Sequence, residues 1–107
     1  MKFFIDFSVN AVNGEAVGSV NGEIDCCVEP LIGDAISFMS TPDGQVAPVR
    51  HKHGWSLKVT QRTIQPGHEK AALILSLEDM ILETREQAVA IMNYMANSYG
   101  LNMDIYE

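Results

Sequence analysis

The chain has 107 residues and carries 14 acidic against 7 basic side chains, a formal net charge of −7 at pH 7. This length predicts that residues 1–107 form a single domain, and 47% hydrophobic with 20% charged residues predicts a folded chain and not a disordered one. The acidity excludes nonspecific binding to nucleic acid, whose phosphates would be repelled.

The first predicted element is an amphipathic strand over residues 2–12, because apolar and polar residues alternate there. Asn13-Gly14 has the residue types of a tight hairpin turn. A second Asn-Gly pair at 21 and 22 predicts another turn, which leaves a short strand before it and a further strand over residues 23–29. The alternation predicts that the first strand buries Phe3, Ile5, Phe7, Val9 and Ala11.

The middle of the chain predicts a loop and a long hairpin. Gly33-Asp34 turns the chain into a strand over 35–39, and the prolines and glycine of residues 40–48 predict a loop. Two apolar runs, 55–64 and 71–77, flank Pro66-Gly67 and so predict a hairpin.

One helix is predicted, at about residues 85–99, near the C-terminus. Thr84 has the hydroxyl of an N-terminal cap, Gln87 completes a capping-box pattern, and Gly100 suits a left-handed C-terminal residue. A closing strand follows over 101–106. The apolar stripe of the helix consists of Ala88, Ile91, Met92, Met95 and Tyr99.

These elements together predict an α+β fold. The sheet is expected to be mostly antiparallel and strongly bent, with about six to eight strands, and to pack against the single helix. No segment has the length and apolarity needed to span a membrane.

The N-terminus and the cysteines predict a cytoplasmic location. Asp6 interrupts the N-terminal apolar run, and no small-residue cleavage site follows an adequate apolar stretch, so a signal peptide is not expected. Cys26 and Cys27 are adjacent, and neighbouring side chains of a strand diverge. Two thiols that do not pair are typical of a reducing compartment.

Charge is distributed unevenly along the sequence. Residues 45–67 contain no acid, whereas acids dominate from residue 78 onward. An acidic surface formed by the C-terminal third favours rapid, salt-sensitive association with a basic protein partner. Acids also simply keep small proteins soluble. The predicted partner-binding residues are Glu78, Asp79, Glu83, Glu86 and Asp104, with Trp55 as a candidate apolar anchor.

Two other functions compete with this prediction. His51 and His53 alternate on one strand face, and His68 offers a third ligand for a small metal-dependent enzyme. The same histidines are also consistent with a solvated basic strand, which we favour. The other alternative is an accessory module that pairs with a copy of itself through a strand edge. No nucleophile elbow or phosphate loop is present, so the sequence predicts no catalytic residue, cofactor or metal.

Two stretches, residues 28–38 and 77–106, resemble parts of small bacterial immunity proteins of contact-dependent growth-inhibition and related polymorphic toxin systems. The first looks like the start of a small, bent, barrel-like sheet. The second contains Leu77-Glu-Asp-Met-Ile-Leu-Glu-Thr84, the capped helix and Tyr99-Gly-Leu-Asn-Met-Asp-Ile-Tyr106. The resemblance implies a non-catalytic inhibitor that binds the basic nuclease domain of a toxin. Acidic side chains would then occupy a surface built for phosphates.

Overall fold

A computed structural model describes residues 2–38, 56–67 and 72–106 of the chain. These residues form an α+β fold, which confirms the predicted class. The elements in chain order are β1 (Lys2–Ala11), β2 (Ala16–Asp25), β3 (Ala35–Ser37), β4 (Ser56–Gln65), β5 (Ala72–Leu77), β6 (Met80–Leu82), α1 (Arg85–Tyr99) and β7 (Asn102–Ile105).

The strands form one open sheet in the order β3-β4-β5-β1-β2-β7, and β6 also pairs with β1. The predicted hairpin is confirmed, because β4 and β5 pair antiparallel. The sheet is nevertheless mixed, since both β5 and β6 run parallel to β1. The expectation of a mostly antiparallel sheet therefore fits in part: the other four pairings of the described strands are antiparallel, and the two parallel pairings lie at the central strand β1. Alternation along a strand assigns its two faces but does not reveal which neighbour it joins.

The hairpin of β1 and β2 is confirmed at its turn and corrected along its second strand. Gly14 has a φ of 90°, and its N–H donates to the Ala11 carbonyl over 2.9 Å. The turn predicted at Asn21-Gly22 is wrong, because β2 continues through both residues to Asp25. Gly22 instead makes room for the next layer, since a Cβ there would lie 2.9 Å from Leu101 Cδ2.

The helix begins and ends as predicted. The Thr84 hydroxyl accepts a hydrogen bond from the Gln87 N–H over 3.1 Å, and Gly100 adopts the left-handed conformation, with a φ of 69° and a ψ of 23°. Of the predicted stripe, Ala88, Ile91, Met92 and Met95 are buried and Tyr99 is partly buried. The closing strand β7 is also confirmed.

The hydrophobic core lies on the face of the sheet that α1 covers, which we call the inner face. The predicted apolar set of β1 is buried there, as are Leu57 and Val59 of β4 and Leu75 and Leu77 of β5. Phe38 follows β3 and packs edge-on against Tyr99, with the ring centroids 5.3 Å apart, while its carbonyl accepts a hydrogen bond from the Tyr94 hydroxyl. These contacts connect the far edge of the sheet to the helix.

Candidate functional site

The opposite face of the sheet, which we call the open face, is the candidate site. Phe4, Asp6, Ser8 and Asn10 alternate with the buried residues of β1 and therefore lie on it. Within the described residues, no helix or second sheet packs over this face, because α1 contacts the inner one. The residues of β2 that pair with this row and share its face are Glu23, Asn21 and Ser19.

The open face carries a net negative charge among the described residues. The acids there are exposed and come from four parts of the chain: Asp6, Glu23, Asp25, Asp79 and Asp104. The cations of the described residues on the same face are Lys2 and Lys58. Lys2 Nζ lies 3.9 Å from Glu23 Oε1 with both side chains well exposed, so this ion pair neutralises the charge only weakly.

A shallow depression of about 370 Å³ lies near the middle of the open face. Its polar rim includes the carboxylates of Asp6 and Asp79, with Ser8, Ser19 and Asn21 beside them. Hydrogen-bond acceptors and negative charge therefore converge on one place. Such an arrangement favours a cationic side chain over an anionic or purely apolar one.

One extra residue between β5 and β6, which both pair with β1, places Asp79 at this depression. Ile74 pairs with Phe4 and Met80 pairs with Val9, so the partner of β1 gains one residue between β5 and β6, as in a β-bulge. The Glu78 carboxylate accepts a hydrogen bond from the Lys58 N–H over 2.9 Å and replaces the carbonyl that a regular ladder would supply. The Asn10 amide donates to Asp79 over 3.4 Å.

Apolar side chains also lie on the open face. Phe4 is 41% exposed, and its Cα partner on the parallel strand is Ile74, which is partly buried. Ile81 of β6 is 49% exposed and pairs with Asn10, near the other end of β1. Phe4 and Ile74, on the neighbouring strands β1 and β5, therefore form an apolar spot on a face that otherwise carries polar and charged side chains.

The structure divides the residues that the sequence predicts as partner-binding. Asp79 and Asp104 share the open face, with β1 and β2 between them. Glu78 is exposed but engages the backbone of Lys58. Glu83 follows β6 and Glu86 lies in the first turn of α1, so both belong to the end of the molecule where the helix begins.

Several predicted residues lie outside the described part of the chain. They are Trp55 and the histidines of the alternative metal site, His51, His53 and His68, as well as the loop predicted over 40–48. Within residues 2–38, 56–67 and 72–106, no group of three or more His, Cys, Asp or Glu side chains is placed to hold a metal ion.

The acids that the N-terminal hairpin contributes to the open face are not predicted by the charge pattern of the sequence. Asp6 and Glu23 are distant in sequence from Asp79 and Asp104, and only the sheet order brings them to one surface. The signal that was available is the alternation of β1, whose polar positions mark an exposed face. The distribution of charge along the sequence instead favours the C-terminal third.

No helix in the described residues is long and apolar enough to cross a membrane. Comparison with the models of known protein families, with curated proteins and with solved structures finds no match for this chain.

Proposed function

We propose that this protein is a non-catalytic binding protein, an immunity protein that neutralises a basic, nuclease-type toxin through its acidic surface. The observation that supports the proposal most strongly is that five exposed acids share the open face, where the described residues contribute two lysines. An uncovered sheet face offers a broad, rigid surface, and its charge selects a cationic partner.

The chemistry of the partner follows from that of its substrate. A nuclease binds phosphates with clustered arginine and lysine side chains. Carboxylates present the same negative charge and accept the same charge-assisted hydrogen bonds as phosphate oxygens. A protein that carries Asp6, Asp79 and Asp104 on one face therefore competes for the surface that the nucleic acid occupies.

Two pairs of charged side chains off the open face make contacts within the fold. Arg85 Nη1 contacts Glu15 Oε1 at 2.9 Å, and Arg62 Nη2 contacts Glu29 Oε1 at 3.1 Å. No hydrogen bond or ion pair within the described residues engages the carboxylates of Asp6 or Asp104. These two acids are thus the more available ones for a partner.

Growth rescue tests the proposal. The chain is co-expressed with the toxin domain encoded by the neighbouring gene, and the purified pair is assayed for nuclease activity at increasing molar ratios. We expect restored growth and inhibition that is complete near equimolar ratio. A toxin that still kills and still cleaves in the presence of excess protein would contradict the proposal.

A further inference from the structure

The open face combines its charge with an apolar spot at a defined position. Phe4 lies on β1 at the middle of the sheet, and its neighbours across the face are Ile74 of β5 on one side and Glu23 of β2 on the other. Asp6 follows two residues along the same strand and therefore on the same face. The Phe4–Ile74 pair is thus bordered by carboxylates on two sides.

The two kinds of side chain contribute differently to binding. Aromatic and aliphatic groups that are desolvated at the centre of an interface supply most of the binding free energy, and they slow dissociation. Exposed charges mainly accelerate and orient association, and salt screens their effect. We therefore expect the Phe4–Ile74 pair to supply binding free energy as an apolar anchor. The neighbouring carboxylates would accelerate and orient the association of a cationic partner.

The open face has nearly the extent of one side of a standard protein–protein interface. Ten-residue strands such as β1 and β2 extend about 31 Å at the usual rise per residue. Five neighbouring strands span about 19 Å at the usual spacing between strands. A flat rectangle of this length and width has an area of about 600 Å². The side chains that project from the sheet add accessible surface, and a standard interface buries roughly 800 Å² per partner.

We infer that the open face is a docking surface for a protein segment in which an aromatic or aliphatic side chain is flanked by arginine or lysine. The apolar side chain of the partner packs on Phe4 and Ile74. The flanking cations reach Glu23 on one side and Asp6, with Asp79 across the depression, on the other. This inference rests on the proposed function and deepens it, because it names the anchor and the partner segment.

A peptide titration tests the inference without the toxin. The ¹⁵N-labelled protein is titrated with the capped tripeptide Arg-Trp-Arg, and with capped Glu-Trp-Glu as the charge control. We expect saturable shifts of the amides around Phe4, Asp6 and Ile74 with the cationic peptide and none with the acidic one. Shifts that cluster around Glu83 and Glu86, the absence of saturable binding, or equal binding of both peptides would overturn the inference.

Two substitutions distinguish the loss of the Phe4 anchor from the loss of any exposed apolar side chain. Phe4→Thr removes the anchor with a residue suited to strands, and we expect the affinity for Arg-Trp-Arg to fall about tenfold. Ile64→Thr is the matched control, because Ile64 is 64% exposed on β4 but pairs with Leu73, whose side chain packs against the core. Equal effects of the two substitutions would contradict the anchor.

Asp6→Asn supplies a second measurement that leaves the apolar pair and the strand in place. We expect weaker peptide binding than wild type at low salt and equal binding at high salt, because screening removes the contribution of the charge. Unchanged binding at low salt would contradict the steering role.

The growth assay does not depend on which face binds, so protection without peptide binding refutes only this inference. Peptide binding at Phe4 without protection refutes only the proposed function.

Discussion

At the scale of single residues, two groups of acids in the described chain differ in what they contact. One group holds the fold together, and Glu78 is its clearest member because its carboxylate completes the hydrogen-bond ladder at Lys58. The other group faces solvent on the open face. Acids that resemble one another in the sequence thus differ in what they contact. Glu15, Glu29 and Asp34 also make contacts inside the fold.

Glu78→Ala should destabilise the protein, because the Lys58 N–H loses its acceptor at the break between β5 and β6. We expect a loss of about 1 kcal/mol in the free energy of unfolding, measured by urea denaturation. Glu78→Gln is the control, since its amide oxygen still accepts, and it should retain most of the stability. A Gln variant as unstable as the Ala variant would show that charge, and not the hydrogen bond, is responsible.

Gly18→Ala should be more damaging than its size suggests. A Cβ at Gly18 would overlap the carbonyl oxygen of Asp104 and lie 2.7 Å from Met92 Cε. Relief requires β7 to move, and overpacking of this kind costs about 1–3 kcal/mol. The control is Ser19→Ala, one residue along β2 on the open face, which should change the urea midpoint little. Equal midpoints for the two variants would contradict the packing described for β2, β7 and α1.

Tyr99 should make the protein sensitive to alkaline pH. Burial, and then the interaction with Tyr94, raise the pKa of Tyr99 above its usual value. In the unfolded chain, Tyr99 ionises near about pH 10 while the folded protein still holds the proton. The unfolded state therefore binds fewer protons, and the free energy of unfolding falls as the pH rises above that value.

The Tyr99→Phe variant isolates this effect, because every other titrating group is retained. Urea midpoints of the wild type and the variant are compared from about pH 8 to about pH 11. We expect the wild type to lose more stability than the variant over that interval. Parallel curves would mean that Tyr99 ionises as readily in the folded protein as in the unfolded chain.

At the scale of elements, the helix is the part that local signals specify most completely. Its cap, its apolar stripe and its left-handed C-terminal glycine are all local in sequence, and the structure confirms each of them. The sheet differs in this respect. Alternation predicts the strands and the buried side of β1, but the pairing of β1 with β5 joins residues about seventy positions apart.

The candidate site shows the same division between local and non-local information. Asp79 and Asp104 were predicted from the acidity of the C-terminal third, whereas Asp6 and Glu23 reach the same face only through the sheet order. The short strand β6 was also missed, because three residues do not establish a period and the acids around them favour a loop. The turn predicted at Asn21-Gly22 fails for a related reason, because Gly22, within β2, allows close packing against Leu101 and does not form a turn.

Removing the N-terminal cap of α1 tests how far the helix depends on its own signals. Thr84→Ala deletes the acceptor of the Gln87 N–H and should cost about 1 kcal/mol in the free energy of unfolding. Thr84→Ser keeps a hydroxyl at the same place and should fall within a few tenths of a kcal/mol of the wild type. If Ala and Ser behave alike in urea denaturation, packing on the sheet alone determines where the helix begins.

At the scale of the whole molecule, the fold sorts its surface by use. The helix covers the inner face of the sheet, and the open face presents carboxylates around an apolar pair. A net charge of −7 adds a field that attracts basic proteins over the whole surface. We propose that binding is localised on the open face and is not a property of the total charge.

Association kinetics with the toxin domain, measured across a range of ionic strengths, test this claim most directly. The double variant Asp6→Asn, Asp104→Asn removes two charges from the open face, and Glu83→Gln, Glu86→Gln removes two from the end where α1 begins. We predict that the first lowers the association rate constant at low salt by about tenfold and flattens its salt dependence, while the second leaves both close to the wild-type values. Equal losses in the two variants, or a larger loss in the second, would contradict the assignment of the open face.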